Sequence, residues 1–332
     1  MAFESLQPKL LLLAAALLAL FTMAAYTVYF ERRISAWIQN RIGPNRVGPF
    51  GLLQPLADVL KLLFKEDIAP AAADRLLHRL APMISVTAAV ATIGVLPFAH
   101  NLILADVNIG ILYILAITSL NVYGITLSGW ASNSKYALLG GLRSSAQLIS
   151  YEIAMGLAVL SVVVQSESLM TSQIVEAQAE IWNVLRNPLG FLIFLITAFA
   201  ETNRLPFDLP EAEQELVAGY HTEYSSMKFG MFYVAEYMNV VLSSAVITTL
   251  FFGGYLVPFG HLFMSDLPAW ARTGLEVLSF FGKTGFFVFV FIWVRWTIPR
   301  FKYNQLMRLG WVYLFPLAVL NLVLVALARM LF

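Results

Sequence analysis

The chain has 332 residues, of which 59% are hydrophobic and only 12% are charged. Soluble domains carry about 25% charged residues, so this composition excludes a soluble protein and indicates one that spans a membrane several times. The formal net charge of +1 argues against an electrostatic nucleic-acid binder. Because the chain contains no cysteine, it holds no disulfide, no Cys-ligated zinc and no iron–sulfur cluster of its own.

Apolar runs of about 20 residues are long enough to cross a bilayer as helices. We predict an all-α integral membrane protein of about eight transmembrane helices that form a single membrane domain over residues 1–332. The fifth candidate is barely long enough, and we expect it to be tilted or shielded by its neighbours. The candidates are Leu10–Phe30, Pro82–Phe98, Ile109–Leu127, Leu148–Val164, Pro188–Ala200, Met231–Val257, Phe280–Ile298 and Leu309–Leu327.

Lysine and arginine are concentrated in alternate loops of this arrangement. Most of the 21 basic residues follow the first, third, fifth and seventh spans. Because an excess of basic residues marks the cytoplasmic side of a membrane protein, these loops are predicted to face inward and both termini to face outward. The two large inner-side loops then cover residues 31–81 and 201–230.

The first inner-side loop combines a rigid basic segment with an apolar stripe. Gly43-Pro44 and Gly48-Pro49 predict tight turns that place Arg41 and Arg46. Two arginines on a stiff loop suit an anionic or carbonyl-bearing ligand head, or an anchor on acidic lipid. In residues 51–66 the leucines recur at spacings of three and four, which predicts an amphipathic helix. It is too short and too charged to span, so we expect it to lie along the inner interface or pack on a partner.

Acidic residues stand near the inner ends of four predicted spans. Glu31 closes the first span and Glu201 closes the fifth, whereas Glu152 lies about 6 Å inside the fourth and Glu236 a turn or more inside the sixth. Carboxylates at such depths face a bundle interior, pair with cations or line a wet cavity. One shared, inward-opening cavity would satisfy all four. The alternative is a set of independent interfacial charges that reach the headgroups.

The second inner-side loop is acidic where inner loops are usually basic. Like charges this close disfavour joint ionisation, so one or more of its carboxyl groups is expected to have a raised pKa. A solvated acidic loop is the alternative interpretation, but interleaved apolar residues such as Phe207 and Leu209 favour a loop folded against another surface. The four histidines are scattered without metal-ligand spacing, so no metal site is predicted. The acidic residues are Glu201, Asp208, Glu211, Glu213, Glu215 and Glu223.

Three strings carry a family resemblance: ERRISAWIQNRIGPNRVGPFGLLQPLADVLKLLFKED, SNSKYALLGGLRSSAQLISYEIAMGL and AETNRLPFDLPEAEQELVAGYHTEYSSMKFGMFYVAEYMN. From Glu31 to Arg308 the sequence resembles the H subunit of bacterial proton-translocating NADH:quinone oxidoreductase, respiratory complex I, whose mitochondrial counterpart is subunit 1. The resemblance implies a multi-pass protein of the bacterial inner membrane, so the termini predicted to face outward would lie on the periplasmic side. It also implies a quinone substrate, for which we expect ubiquinone, with FMN and iron–sulfur clusters on partner subunits. Those partners are the peripheral-arm iron–sulfur and quinone-chamber subunits and neighbouring small membrane subunits.

The same resemblance implies roles for individual residues. The two inner-side loops would help form the quinone chamber, and the first and sixth spans with the amphipathic helix would frame the access of quinone from the bilayer. The chamber and access residues are Arg32, Arg33, Trp37, Arg41, Arg46, Phe207 and Asp208. The acidic pathway that would link quinone chemistry to proton pumping comprises Glu31, Glu152, Glu201, Glu211, Glu213, Glu215, Glu223 and Glu236.

These features predict a quinone-binding, proton-coupling subunit that has no catalytic residue by itself and works only in the assembled complex. One alternative is the heel subunit of a related membrane-bound hydrogenase, which would use the same fold without a quinone. A stand-alone proton-coupled transporter would account for Glu152 and Glu236 but leaves the two long inner-side loops without a role. The sequence also lacks a visible internal repeat of the kind many transporters carry.

Overall fold

The computed structural model describes residues 2–209, 217–258, 260 and 267–331. Within these ranges the chain is helical and contains no β-strand. Short 3₁₀ turns lie at Pro49–Gly51, Ile93–Val95 and Gly219–His221, and a π-helical turn lies at Leu309–Leu314. The predicted all-α fold is confirmed. The helices are α1 (Ala2–Ile38), α2 (Gln54–Phe64), α3 (Arg75–Thr92), α4 (Gly110–Ala131), α5 (Lys135–Ser166), α6 (Thr171–Glu176), α7 (Asn183–Arg186), α8 (Pro188–Glu201), α9 (Ser226–Phe251), α10 (Ala269–Thr297), α11 (Tyr303–Arg308) and α12 (Phe315–Leu331).

Seven helical segments of the described chain are long and apolar enough to cross a membrane. They correspond to α1, α3, α4, α5, α9, α10 and the continuous unit of α11 and α12. The predicted fifth span corresponds to α8, which has 14 residues and is therefore about 21 Å long. That length falls short of a hydrocarbon core of about 30 Å. As expected for a short span, α8 packs against α5, α9 and α12, which shield it.

Local sequence signals explain where two of these helices begin. Asp74 precedes α3, and its Oδ1 atom accepts hydrogen bonds from the backbone N–H groups of Leu76 and Leu77 at 3.0 and 3.1 Å. Asn187 precedes α8, and its Oδ1 atom accepts from the N–H of Gly190 at 2.9 Å. Both side chains satisfy N–H groups that the first helical turn leaves without an intrahelical partner.

Helix α5 is much longer than the sequence predicted. It begins at Lys135 instead of Leu148, because its first turns carry polar residues that a search for apolar runs rejects. One of them, Gln147, is fully buried, and its amide nitrogen donates to the carbonyl oxygens of Ala200 and Phe207. Glu152 consequently lies near the middle of a 32-residue helix, and its predicted position close to the helix start was wrong.

Helix α9 forms the centre of the bundle. It packs against α1, α3 and α10, and most of its length is buried. The buried residues include Tyr237, Met238 and Val241 around the position of Glu236. This helix therefore carries an acidic residue into the interior of the bundle, where it must find a counter-charge or water.

Candidate functional site

Four charged residues from α1, α9, α10 and the loop after α8 meet between the helices. We call Glu31, Arg204, Glu236 and Arg295 the charged cluster. Arg204 Nη1 lies 3.3 Å from Glu31 Oε2, and Arg204 Nε lies 2.7 Å from Glu236 Oε1. Arg295 Nη1 lies 2.5 Å from the other carboxylate oxygen of Glu31. Two carboxylates and two guanidiniums thus form one connected group with no formal net charge.

Arg204 is the hub of the charged cluster. Its side chain is only 6% exposed, and its guanidinium carbon lies 4.1 Å from the ring centroid of Tyr237. The Tyr237 hydroxyl is in turn 3.1 Å from that of Tyr233. Burial opposes the charge of Arg204, but the carboxylates of Glu236 and Glu31 outweigh that effect and raise its pKa above the ordinary value. Arg204 therefore stays protonated and fixes the positions of both carboxylates.

The sequence analysis identified Glu31 and Glu236 but missed their cationic partners. Arg204 was counted as an ordinary loop cation, although it immediately follows a span whose end is acidic. Arg295 lay inside the predicted seventh span, and an ionisable residue inside a span is itself a signal of function. The rule that buried carboxylates need a counter-charge could have pointed to both, but it could not have chosen between the available arginines.

Small cavities lined by polar and apolar residues continue from the charged cluster to Glu201. One, with about 10 Å³ of space for water centres, is lined by Glu236, Glu201, Asn121 and Asn239. A second, with about 40 Å³, is lined by the last three of these residues and by Thr118. A cavity needs roughly 10–15 Å³ by this measure to hold one water molecule. Among the described residues no group forms a hydrogen bond with the buried Oε2 atom of Glu201, so water in these cavities would satisfy it.

Glu152 lies at the far end of this series. Its carboxylate accepts a short hydrogen bond from the hydroxyl of Ser119, the residue that follows the cavity-lining Thr118. Glu152 is also close enough to Glu201 for the two carboxylates to interact electrostatically. Together the charged cluster, Glu201 and Glu152 form a series of carboxylates, which we call the acidic series. Its members come from α1, α9, α8 and α5.

The segment that follows α8 is held firmly against the linker between α10 and α11. Asp208 Oδ2 lies 2.7 Å from Arg300 Nη2. Phe207 is buried, with its ring stacked on Phe301 at a centroid distance of 5.5 Å and tilted against Tyr151 at 5.6 Å. Both residues were predicted to lie on chamber segments. Their side chains contact other parts of this chain. Any contribution they make to a chamber is therefore indirect, through the position of this segment.

The first inner-side loop is tied to the inner end of α1. Arg33 donates to the carbonyl oxygens of Pro44 and Phe50 at 3.2 and 3.3 Å, and the Tyr29 hydroxyl donates to the same Phe50 carbonyl at 2.8 Å. Gly51 has φ of +80°, and an added Cβ would lie 2.4 Å from the Pro44 carbonyl oxygen. Only glycine fits this turn without displacing the segment.

Helix α2 confirms the predicted amphipathic helix, and polar contacts connect it and the residues that follow it to α1 and α9. Arg32 on α1 pairs with Asp58 at 2.8 Å. Toward α9, Ser226 Oγ donates to the Leu62 carbonyl at 3.0 Å, and Lys228 pairs with Asp67 at 2.8 Å. The apolar stripe remains exposed. Its members include Leu56, Leu60, Leu63 and Phe64.

The remaining predicted site residues are more exposed or lie outside the described ranges. Trp37 is 70% exposed, Arg41 donates to Gln39 at 2.7 Å while remaining accessible, and Arg46 is exposed. Glu223 is half-buried and is not part of the acidic series. Glu211, Glu213 and Glu215 lie outside the described residues. Their role in the acidic pathway therefore stays a prediction.

Comparison with known proteins shows the family to which this chain belongs. Residues 11–326 match the family described as NADH dehydrogenase. The chain is 62% identical to NADH-quinone oxidoreductase subunit 8 of Rhodothermus marinus, over 95% of each chain. It is 57% identical to the H subunit of the NADH-quinone oxidoreductase of Salinibacter ruber, over 95% of this chain and 94% of the relative. It is also 51% identical to the H subunit of the Rickettsia bellii enzyme, over 98% and 95%. The chain therefore belongs to the NADH dehydrogenase family of membrane subunits, alongside the H subunits of NADH-quinone oxidoreductases.

Proposed function

We propose that this chain helps bind quinone in an NADH-quinone oxidoreductase and passes protons along the acidic series. As an H subunit it is a multi-pass protein of the bacterial inner membrane and acts with the other subunits of the complex. The observation that carries the proposal is the sequence of links along the acidic series: Arg204 bridges Glu31 and Glu236, Glu236 and Glu201 line one cavity, and Glu201 and Thr118 line a second cavity next to the Ser119 that binds Glu152. Its similarity to subunits of NADH-quinone oxidoreductases favours this function over a membrane-bound hydrogenase or a stand-alone transporter.

The quinone part of the proposal is supported by the first inner-side loop. Arg41 and Arg46 are accessible on a segment that Arg33 and Tyr29 fix to α1. A guanidinium can donate hydrogen bonds to a quinone carbonyl. Redox centres that deliver electrons, FMN and iron–sulfur clusters, belong to partner subunits in this proposal, because a chain without cysteine has no thiolate ligands for a cluster. Ubiquinone is our expected substrate.

The proton part is supported by charge balance. Reduction of a quinone takes up electrons and protons, so the charge near the first inner-side loop changes during turnover. Arg204 pairs with both Glu31 and Glu236. A change in the charge or position of one carboxylate therefore alters the free energy of protonating the other. Glu201 and Glu152 then offer the next carboxylates toward the α4 and α5 side of the bundle.

The orientation in the membrane belongs to the same proposal. The basic first loop and the ends of α1 and α10 near the charged cluster would face the cytoplasm, and both termini would face the periplasm. The peripheral-arm partners would then lie beside residues 31–81 and 201–230. The distribution of lysine and arginine favours this orientation of the chain in the membrane.

The test is the Glu152→Gln variant in the assembled complex, reconstituted in vesicles. Glutamine keeps the hydrogen-bond acceptor for Ser119 but cannot carry the proton. We expect normal assembly, retained electron transfer from NADH to an artificial acceptor in the peripheral arm, and a large loss of proton translocation with quinone as acceptor. Glu167→Gln is the matched control, since Glu167 is an exposed carboxylate at the C-terminal end of the same helix. A wild-type ratio of protons moved to NADH oxidised in Glu152→Gln would refute the proton role.

A further inference from the structure

His78 is a buried histidine in the first turn of α3 that does not belong to the acidic series. The residue is 1% exposed, and its ring lies parallel to that of Tyr224, with a centroid distance of 3.9 Å and an interplanar angle of 2°. Its ring nitrogens form no hydrogen bond of good geometry with the described residues, although the backbone of Glu223 is close enough to interact with the ring. This pair of rings, which we call the imidazole stack, joins α3 to residues 217–225, which we call the return segment.

The imidazole stack is connected through aromatic rings to a cavity of the acidic series. Tyr224 packs edge-to-face on Phe232 at a centroid distance of 5.0 Å, and Phe232 packs edge-to-face on Tyr220 at 5.4 Å. Phe232 and Tyr220 both line the cavity of about 10 Å³ that links the charged cluster to Glu201. Because protein interiors are close-packed, a displacement of Tyr224 moves the rings beside it. His78 therefore influences the shape of this cavity through Tyr224.

The return segment has two further attachments to neighbouring elements, and neither of them titrates near neutral pH. Ser225 Oγ accepts a hydrogen bond from the backbone N–H of Ile68 at 2.7 Å. The segment also packs closely on α5, where a Cβ added at Gly140 would lie 2.7 Å from the backbone nitrogen of Tyr220. A hydroxyl and a glycine keep the same charge between pH 5 and pH 8, whereas an imidazole changes its charge in that range. The imidazole stack is therefore the attachment that can respond to pH.

The charged groups around His78 determine what its protonation does. Lys228 of α9 and Asp67 pair with each other at 2.8 Å and lie near enough to interact with His78, as does the half-buried Glu223. Helix α4 contains no charged residue. A protonated ring in the stack would be a buried charge without a hydrogen-bond partner among the described residues, so protonation favours movement of the ring toward water and Glu223. The charged residues beside His78 on α3 itself, all of them exposed, are Asp74, Arg75 and Arg79.

We propose that His78 is a pH-sensitive positioning residue, which holds Tyr224 and the cavity lining in place while neutral and releases them when protonated. Uptake of a proton by a ring nitrogen separates the two rings of the imidazole stack and loosens the return segment. The release concerns the fold alone, whereas its effect on proton transfer rests on the proposed function. Acidification of the water beside the second inner-side loop would thereby disturb the cavity between the charged cluster and Glu201 and slow transfer along the acidic series.

Substitutions at position 78 separate the ring from its charge. His78→Phe keeps a planar ring that can pack on Tyr224 but cannot be protonated, whereas His78→Ala removes the stack at every pH. His100→Phe is the matched control. His100 is an exposed histidine in the connection between α3 and α4, where its backbone N–H donates to Glu276 of α10.

The first experiment is hydrogen–deuterium exchange of the assembled complex at about pH 8 and about pH 5.5, on either side of the titration of an ordinary histidine. Rates are corrected for the intrinsic effect of pH on amide exchange. We expect residues 217–225 to exchange several-fold faster at the lower pH in the wild type and in His100→Phe. Their exchange should change little with pH in His78→Phe and should be fast at both values in His78→Ala.

Two outcomes of this experiment would overturn the proposal. One is exchange of residues 217–225 in the wild type that does not change with pH. The other is a His78→Phe variant that responds to pH as the wild type does. The wild-type measurement requires no substitution, so the proposal stays testable if a variant does not assemble.

The second readout is the pH profile of quinone-dependent NADH oxidation, divided by NADH oxidation with an artificial acceptor in the peripheral arm. We expect this ratio to fall on acidification in the wild type and to fall several-fold less in His78→Phe. Coinciding profiles would overturn the link between the imidazole stack and the cavity. Failure of the proposed function is distinguishable, because it appears as a wild-type proton ratio in Glu152→Gln, whereas exchange of residues 217–225 does not depend on proton translocation.

Discussion

Arg204 and Glu236 form an ion pair of 2.7 Å between the start of the acidic loop and the middle of α9. Because the same guanidinium also contacts Glu31 on α1, the position of the loop and the electrostatics of two spans are linked through one side chain. The pair therefore joins the segment proposed to face the quinone to the carboxylates proposed to move protons.

We predict that Arg204→Gln strongly destabilises the subunit. Removing one partner from a buried ion pair typically costs about 3–5 kcal/mol, because the remaining charges stay buried without compensation. Here Glu236 would lose its cation and Glu31 would keep only Arg295. The measurement is the thermal midpoint of the purified complex, together with the amount of complex assembled in the membrane.

The matched control is Arg329→Gln. Arg329 pairs with Glu167 at 2.6 Å, but the two side chains are 51% and 69% exposed. Exposed pairs contribute about 0–1 kcal/mol, so this variant should assemble like the wild type. Equal behaviour of the two variants would contradict the hub role of Arg204.

Glu236→Gln and Glu152→Gln should differ in stability, although both remove a titrating carboxyl group. Glu236 accepts from a buried guanidinium, and a hydrogen bond to a charged group contributes about 1.5–3 kcal/mol. Glu152 is bound by the Ser119 hydroxyl, which can donate equally well to an amide oxygen. We expect a lowered thermal midpoint for Glu236→Gln and little change for Glu152→Gln. The opposite order would mean that the charged cluster contributes little to the fold.

Arg41→Ala and Arg46→Ala should weaken quinone binding without damaging assembly. Both side chains are exposed, so their loss leaves no buried group unpaired, and substitutions of this kind usually change stability by about 0.5 kcal/mol or less. We expect a higher apparent KM for short-tailed ubiquinone or weaker binding of chamber inhibitors. Lys135→Ala, an exposed cation at the start of α5, should change neither. Unaltered quinone kinetics in both fully assembled arginine variants would argue that they anchor to lipid.

Gly51→Ala should disrupt the first inner-side loop. Its φ of +80° costs an alanine about 1–2 kcal/mol, and the added Cβ would lie 2.4 Å from the backbone oxygen of Pro44, which a side-chain rotation cannot relieve. We expect faster proteolysis of residues 43–51 in detergent-solubilised complex and reduced quinone activity. Gly94→Ala is the control, because a Cβ there meets no heavy atom of the described residues within 4 Å. Equal proteolysis of the two variants would show that the turn does not hold the loop.

Several features of this protein follow from the sequence alone. The apolar runs predicted the long spans, the leucine spacing predicted α2, and the acidic residues of the spans included Glu31, Glu152, Glu201 and Glu236. Each of these depends on a property of a short stretch of chain, such as mean hydropathy or helical periodicity. The boundaries of α5 were wrong because its polar first turns are stabilised by distant partners, such as the carbonyl of Ala200 that Gln147 reaches.

The tertiary structure alone decided which charges meet. Arg204 and Arg295 lie 173 and 264 residues from Glu31 along the chain. Several other arginines on the same predicted side of the membrane were equally plausible partners of Glu31. A buried carboxylate requires a counter-charge, but that requirement is met by any cation that helix packing brings within reach. The partners of Glu31 therefore depend on how α1, α9 and α10 pack together, which no local pattern encodes.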